Sequence, residues 1–367
     1  MKIDTRKIKS DEAVEVYITA SVTPNAALEE QANELFGGIR QVLESEGAYI
    51  FQERVFGTGE ALQIVRSVRA DIYGGYDDGV EPAWLVVPEG INGQIAGVQV
   101  HALSSEAFPK ILRSGTTPCG RLVRSGDSEY LAISCIRAPE AGQATEQARV
   151  MLEKAEAVLK HVGADMYSVA RTWMWLGDIL SWYDDFNKVR NRFFTERGLI
   201  GNGVENKMPA STGIGIGPGD GAICGMDLVA VIGPNKPIEY FNAGGNQNSA
   251  LKYGSAFSRG SRVKTPAGTT MFLSGTASIG VNGKSTNIGD ATKQIEVAIS
   301  NARAALREMQ CDDDDVVQAI AYCKTAEIEK LFWKEWGDLA WPKLTAIADI
   351  CRNDLLFEIE VTAAIAG

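Results

Sequence analysis

The sequence has few of the residues from which metal sites and nucleophilic triads are built. It contains two histidines, His101 and His161, and six scattered cysteines with no CxxC pair. Structural zinc sites need clustered Cys and His, and a Ser/His/Asp triad needs a histidine paired with a nucleophile. The glycine run at 213–221 also lacks the GxGxxG spacing of a dinucleotide-binding loop. We therefore expect no metal site, no hydrolase triad and no dinucleotide.

Long apolar runs and excess positive charge are also absent. No stretch of 18 apolar residues occurs, and the first residues lack the apolar core of an export signal. With 36 basic and 47 acidic residues, the net charge is -11, which disfavours a nucleic-acid or anionic-membrane surface. We expect a soluble cytoplasmic protein with reduced thiols. A small anionic ligand remains compatible, because a few local arginines can offset the overall field.

What the sequence does contain is a threefold internal repeat. Each copy has an amphipathic helix entered at a glutamine, then a β-rich run, a second helix, a proline-led strand and a last apolar strand. The helix-entry glutamines are Gln31, Gln147 and Gln294. The strand-leading prolines, spaced by 127 and 133 residues, are Pro82, Pro209 and Pro342. This spacing is that of whole domains and is far longer than a solenoid repeat.

This order predicts an α+β fold in which each repeat is a mixed sheet with two helices on one face. Three such sheets can bury their other faces against one another around a pseudo-threefold axis, leaving clefts between neighbouring repeats. We predict a degenerate first repeat at 1–110, a second at 111–237 and a third at 238–367. The polar, glycine-rich linker at 236–254 is expected either to form part of a site or to be a plain connector.

One carboxylate near the C-terminal end lies in an apolar strand. Glu358 is surrounded in sequence by Leu355, Leu356, Phe357 and Ile359. Burial there would raise the pKa of the Glu358 carboxyl and keep it protonated near neutral pH, as a general acid requires. Glu360 shares its strand face and is either an alternative acid or a like charge that raises the pKa of Glu358 further. The plainer alternative is a solvent-facing Glu358 on a half-exposed edge.

The third repeat resembles a complete RidA (YjgF) domain. The resemblance begins near Tyr253 and rests on FSRGSRVKTPAGTTMFLSGTASI at 257–279, the Gln294 helix and the final FEIEVTAAIA. RidA proteins are trimers with sites between subunits. Three copies in one chain therefore resemble a fused trimer, for which we expect a monomer.

Chains of about this length with three such copies resemble the chorismatase family. The segments RTWMWLGDILSWYDDFNKVR, PASTGIGIG and YGSAFSRG carry this resemblance, although the family usually has a longer YGP-x-x-P-x-F stretch. It implies removal of pyruvate from chorismate without metal or cofactor, giving 3-hydroxybenzoate or a dihydroxycyclohexadiene carboxylate for secondary metabolism. It also implies that Glu358 is the catalytic acid and that Cys351 and Gly260 mark the 3-hydroxybenzoate branch.

A substrate with two carboxylates needs fixed cations, preferably arginines with their bidentate fork. Arg259 and Arg171 are the candidates, whereas Arg190 and Arg192 on a predicted helix are expected to be surface charges. The other predicted substrate-binding residues are Gly260, Ser258, Tyr253, Tyr183, Ser211 and Thr212. Aromatic packing or strand capping is the alternative for the last four. Cys351 is a second catalytic candidate, as a weak acid or nucleophile near the ring, and an inert core thiol is the alternative for it.

Two other functions fit the same scaffold. One is a cyclase or dehydratase acting on another secondary-metabolite acid. The other is a RidA-like imine deaminase or a non-catalytic small-ligand-binding protein. RidA deaminases carry an arginine on the proline-led strand, and the three copies have Trp84, Ser211 and Lys343 instead, which disfavours the deaminase.

Overall fold

The computed structural model describes residues 1–24, 26–106, 108–201, 206–234 and 238–367. The first two residues of the predicted linker at 236–254, and the predicted boundary at 237, lie outside these ranges. The described residues contain six α-helices, two in each repeat. The helices are α1 Leu28–Glu46, α2 Gly59–Tyr73, α3 Ala144–His161, α4 Ile179–Glu196, α5 Ala291–Glu308 and α6 Ala326–Trp336. In the described parts of the chain, no helix is both long and apolar enough to cross a membrane.

The described strands form three six-stranded mixed sheets. The strands of the first repeat are β1 Lys2–Lys9, β2 Ala13–Ser21, β3 Tyr49–Gly57, β4 Ala83–Val86 and β5 Ile95–Ser105. Those that follow are β6 Lys110–Ser114, β7 Thr117–Ser125, β8 Ser128–Arg137, β9 Val169–Leu176, β10 Ala210–Ile214, β11 Gly217–Pro218 and β12 Cys224–Ile232. The last are β13 Ile238–Phe241, β14 Gly260–Thr265, β15 Gly268–Ala277, β16 Val316–Cys323, β17 Lys343–Ile347 and β18 Phe357–Ala366.

The three sheets have closely related strand orders. They run β1-β2-β5-β3-β4-β11, β10-β9-β12-β8-β7-β6 and β13-β14-β15-β18-β16-β17. In each sheet the last long strand of the repeat lies in the middle, between an antiparallel hairpin and a β-α-β unit whose two strands are parallel. The short β11 lies between β10 and β12 in the sequence of the second repeat but pairs with β4 of the first sheet, and this pairing joins the two repeats.

Two of the three helix-entry glutamines share a structural role. The buried amide of Gln294 donates to the Asp354 carbonyl oxygen at 2.8 Å and accepts from the Leu356 N–H at 2.8 Å. In the second repeat, Gln147 likewise accepts from the Ile223 N–H at 3.1 Å. Both contacts satisfy backbone groups just before the central strand. Gln294 therefore fixes the entry of β18, the strand that carries the candidate acid.

Two kinds of core hold the fold together. One apolar core between each sheet and its two helices buries the helix stripes. A further core on the pseudo-threefold axis takes side chains from all three sheets, among them Phe56, Trp175 and Tyr322, each fully buried. The sheets thus face one another with the helices outside, as the repeat pattern predicts. Clefts between repeats open where adjacent sheets diverge from this axial core.

Candidate active site

The third repeat places Glu358 at a bulge between two neighbouring strands. On β18, Glu358 pairs with Tyr322 of β16 on one side and with Ala277 of β15 on the other. The pairing of β15 with β18 shifts between Leu273 and Thr276, as in a β-bulge, just before this point. A methyl group at Gly275, within the bulge, would collide with the Glu358 carboxyl. The carboxyl thus occupies the space that the absent glycine side chain leaves.

Glu358 faces a cavity of about 40 Å³ between the second and third repeats. The third repeat supplies the bulge, the loop before β14 and the loop before β18. The second repeat supplies one face of α4 and the strand β10. The lining residues are Tyr183, Arg190, Ser211, Gly213, Tyr253, Ser255, Phe257, Arg259, Gly275, Ile279, Cys351, Arg352 and Glu358.

The Glu358 carboxyl is the strongest candidate for a general acid in this cavity. Glu358 is 5% exposed, and burial raises the pKa of its carboxyl to about 8. The charge of Glu360 raises this pKa further, whereas Arg259 and Arg171 oppose the shift. Glu358 is therefore protonated at neutral pH. Its apolar sequence neighbours Phe357 and Ile359 point to the opposite face, into the core under α5 and α6, so they are not the groups that bury it.

Glu360 lies behind the cavity in a buried polar network. Its carboxylate accepts from Arg171 Nη2 at 3.0 Å and from Trp173 Nε1 at 2.8 Å. The same guanidinium nitrogen donates to Thr212 Oγ1 at 2.6 Å. Burial lowers the pKa of Arg171 to about 10, which still leaves it charged at neutral pH. An anion engaged in this way is a poor proton donor, so the geometry favours Glu358 over Glu360 as the acid.

Arg190 was expected at the surface, and the structure corrects this. It is 1% exposed, whereas Arg192 two residues later is exposed at the surface. The Arg190 guanidinium lies 5.2 Å from the Phe186 ring centre and 5.6 Å from that of Phe257, and it donates to Asn187 Oδ1 at 2.6 Å. Within the described part of the chain its buried Nε has no acceptor. A buried, incompletely paired guanidinium beside a cavity is suited to an incoming carboxylate.

Two further guanidinium groups line the cavity and enclose one tyrosine. Arg259 is 3% exposed, donates from Nε to the Asn248 carbonyl oxygen at 3.1 Å and bonds the Tyr253 hydroxyl through Nη2. Arg352 lies over the Tyr253 ring at 5.4 Å and donates to the Gly283 carbonyl oxygen at 2.9 Å. Arg352 was not among the residues predicted from the sequence to bind substrate. Its only signal was a basic residue directly after Cys351.

Cys351 and Tyr183 line the cavity in their neutral forms. Burial raises the pKa of the Cys351 thiol to about 12, and the Glu358 charge adds to this shift. Burial likewise raises the pKa of the Tyr183 hydroxyl to about 12. Both groups can donate hydrogen bonds at neutral pH, but neither is an anionic nucleophile.

Four of the residues predicted to bind substrate lie behind the cavity wall. They are Gly260, Ser258, Arg171 and Thr212. Gly260 faces α5, where a Cβ atom would lie 2.6 Å from Met309 Sδ. Ser258 is fully buried and donates to the Met208 carbonyl oxygen at 2.5 Å, which joins the second and third repeats. The geometry gives these two residues packing roles.

The fold has a solved counterpart. The crystal structure of a chorismatase at 1.08 Å resolution aligns with 73% of this chain and 82% of its own, with a TM-score of 0.55 and 21% sequence identity. The chain shares the fold of that chorismatase. The predicted α+β fold with three RidA-like repeats in a pseudo-trimer is thereby confirmed.

Single-repeat structures also align. A YjgF family member from Neisseria meningitidis covers 35% of this chain and 96% of its own, with a TM-score of 0.26 and 20% identity. A member of the YjgF/YER057c/UK114 family from Mycobacterium tuberculosis covers 35% and 99%, with a TM-score of 0.26 and 19% identity. No protein-family model and no curated protein matches the sequence.

Proposed function

We propose that this chain is an enzyme that removes pyruvate from chorismate, with 3-hydroxybenzoate as the aromatic product. The observation that carries the proposal is a protonated carboxyl, Glu358, in a cavity lined by Arg190, Arg259 and Arg352. An acid beside fixed cations suits an anionic substrate that must receive a proton. The shared chorismatase fold supports the choice of chorismate.

The chemistry assigns a role to each side of the cavity. Glu358 delivers its proton to the terminal methylene carbon of the enolpyruvyl group, and the positive charge that develops is shared with the ether oxygen. For 3-hydroxybenzoate, the neighbouring ring hydroxyl attacks the ring carbon that carries the ether and loses its proton, the ring C–O bond breaks and the side chain leaves as pyruvate. The resulting epoxide rearranges to the phenol. Attack of water on the positively charged side-chain carbon would instead give pyruvate and the dihydroxycyclohexadiene carboxylate. Formation of 3-hydroxybenzoate plus pyruvate balances without added water or an oxidant. The guanidinium groups bind and orient the two substrate carboxylates.

The cavity must enlarge to admit such a substrate. Its volume of about 40 Å³ is well below the roughly 150 Å³ of an engineered cavity that binds benzene. Tyr253 and Arg352 are the half-buried residues that stack at its edge. We expect the loops that carry them to shift outward when substrate enters.

The decisive experiment is incubation of the purified protein with chorismate. Pyruvate is followed with a coupled dehydrogenase assay, and the aromatic product is followed by its absorbance after chromatography. Wild type should release pyruvate and an aromatic acid in equal amounts, and Glu358→Gln should lose at least about a hundredfold in kcat, as expected for a general acid. A correctly folded Glu358→Gln variant with wild-type turnover would overturn the acid assignment. The matched control is Glu329→Gln, a buried glutamate outside this cavity.

The product distinguishes the remaining alternatives. A dihydroxycyclohexadiene carboxylate would place the chain in the hydrolytic branch. Absence of pyruvate, with turnover of a different ring acid, would favour the cyclase or dehydratase. Ammonia release from an imine substrate would favour the deaminase.

A further inference from the structure

The three clefts between repeats can be compared residue by residue. In each repeat, the register between the central strand and the neighbouring strand of the β-α-β unit shifts at the same point. Next to that shift, the central strand pairs with its neighbour at a matching position in every repeat. The matching pairs are Gln318 with Thr362, Arg171 with Val229, and Gln52 with His101. Four residues earlier on β18, β12 and β5 stand Glu358, Gly225 and Gly97. The carboxyl of the candidate acid is therefore present in one cleft and replaced by glycine in two.

The two glycine clefts differ in what fills the vacant position. At Gly97, between the third and first repeats, a Cβ atom would collide with the Leu344 side chain. At Gly225, a Cβ atom would lie 3.0 Å from Cys135 Sγ and 3.0 Å from Pro218 Cγ. Cys135 lies in the bulge of β8 opposite β12, the position that Gly275 holds in the third repeat. In the second repeat the glycine is therefore on the central strand and the side chain is in the bulge, the reverse of the third repeat. The Cys135 thiol occupies the space that corresponds to the Glu358 carboxyl.

The cleft between the first and second repeats nevertheless keeps a cavity, of about 240 Å³. This volume exceeds the roughly 150 Å³ that accommodates benzene, so it can hold a substituted six-membered ring. Its lining comes from the end of β6, the start of β7, the bulge of β8, α3 and a first-repeat residue close to β4. The lining residues are Glu81, Ser114, Thr117, Pro118, Cys119, Ser134, Cys135, Ile136, Arg137 and Lys154.

The polar groups of this cavity have opposite charges on its two sides. The second repeat contributes Arg137 and Lys154, and the first repeat contributes Glu81. Ser134 is 6% exposed, and its buried hydroxyl has no hydrogen-bond partner among the residues that the structure describes. A buried hydroxyl without a partner costs free energy unless a ligand or water satisfies it.

Each cation has one backbone acceptor and one carboxylate partner that a ligand can replace. Arg137 Nη1 donates to the Cys135 carbonyl oxygen at 3.0 Å, and Lys154 Nζ donates to the Arg137 carbonyl oxygen at 3.1 Å. Arg137 pairs with Asp220, and Lys154 Nζ lies 2.5 Å from Glu140 Oε1. The side chains of Asp220 and Glu140 are 25% and 63% exposed, so a ligand carboxylate can replace either at small cost. Glu81 on the other side repels a second negative charge and accepts a hydrogen bond from a donor.

We propose that the cleft between the first and second repeats is a second, non-catalytic ligand site for a small monocarboxylic acid that also carries a hydrogen-bond donor. Arg137 and Lys154 bind the carboxylate, Ser134 donates to it, and Glu81 accepts from the donor. The site performs no proton transfer to the ligand, because glycine replaces the acid. This inference does not depend on the proposed function.

The test uses the full-length protein with arginine side chains labelled at Nε. The Arg137 Nε–H signal, assigned by its loss in Arg137→Lys, reports this cleft, and the Arg190 and Arg259 signals report the candidate active site. The probes are 3-hydroxybenzoate, benzoate, phthalate and benzylamine. We expect 3-hydroxybenzoate to shift the Arg137 signal saturably, with benzoate weaker and with phthalate and benzylamine weaker still. The Lys154→Met variant should weaken this binding at least about tenfold, the worth of one charge-assisted hydrogen bond.

Two controls make the test decisive. Lys160→Met removes an exposed lysine from the same helix and should leave the affinity unchanged. Glu81→Gln should improve phthalate binding by removing the repulsion. The proposal is overturned if the Arg137 signal never shifts, if Lys154→Met and Lys160→Met bind alike, or if benzylamine binds as well as 3-hydroxybenzoate. Because no turnover is measured, failure of this site leaves the chorismate assay unaffected.

Discussion

Replacement of Glu360 by glutamine tests whether a buried neighbouring charge keeps the candidate acid protonated. Glu358 and Glu360 are two residues apart on one strand face, about 6.6 Å at the rise of a β-strand. At an effective dielectric constant of about 20, two like charges at that distance repel by about 2.5 kcal/mol. At 1.36 kcal/mol per pKa unit, this amounts to almost two units. The ion pair of Glu360 with Arg171 offsets part of the repulsion, so we expect a decrease of about one to two units in Glu360→Gln.

The direction of the shift in the pH profile follows from which protonation state of Glu358 is active. Protonated Glu358 is the proton donor, so kcat/KM should fall as pH rises through its pKa, about 8 in wild type. Glu360→Gln lowers this pKa by removing a like charge. It also leaves the Arg171 charge unpaired nearby, which shifts the pKa of Glu358 in the same direction. The basic limb of the pH profile should therefore move to lower pH, while activity well below pH 6 is retained.

The assay is the pH dependence of kcat/KM for pyruvate release, with the free-enzyme pKa read from the basic limb. Glu329→Gln is the matched control, because Glu329 is also buried, at 2% exposed, and accepts hydrogen bonds from the Ile91 N–H and the Thr345 hydroxyl. Thermal melts of both variants separate a shifted pKa from loss of fold. If Glu360→Gln is folded and its basic limb overlays that of wild type, the electrostatic argument fails.

Three further predictions concern the cavity and its support. Gly275→Ala should lower kcat/KM at least about a hundredfold, because a methyl group displaces the acid, whereas Gly37→Ala, with open space around it, should be neutral in the same assay. Arg190→Met should raise KM at least about tenfold through loss of a carboxylate contact, and equal KM values for it and Arg192→Met would contradict this role. Gln294→Leu should lower the free energy of unfolding by about 1–3 kcal/mol, because it leaves the Asp354 carbonyl oxygen and the Leu356 N–H without their hydrogen-bond partner. The midpoint of urea unfolding should fall accordingly.

Much of the architecture was predictable because it depends on local patterns repeated three times. The predicted helices entered at Gln147 and Gln294 correspond to α3 and α5, and the predicted strands led by Pro209 and Pro342 correspond to β10 and β17. The hairpin strand β13 lies within the segment 236–254, which was predicted to be a polar linker, because pairing with β14 outweighs its weak intrinsic preference for a strand. The boundaries of the repeats, the monomeric state and the cytoplasmic location remain predictions.

The site was only partly accessible from sequence. Glu358 could be found because a carboxylate in an apolar strand is unusual. Arg190 could not, because a helix sequence does not reveal that its polar-looking face packs against the next repeat. Nor could the sequence show that four of the residues predicted to bind substrate lie behind the cavity wall. Alternation along a strand gives the face of a residue but not what covers that face.

The sequence by itself determined the elements, their threefold repetition and the presence of two carboxylates, Glu358 and Glu360, in an apolar strand. These follow from local periodicity and composition. Only the tertiary structure decided which clefts are open, which arginines reach the acid and why its proton is retained. Those properties arise between repeats, where distant residues such as Arg171 and Glu360 meet at 3.0 Å in a buried interface.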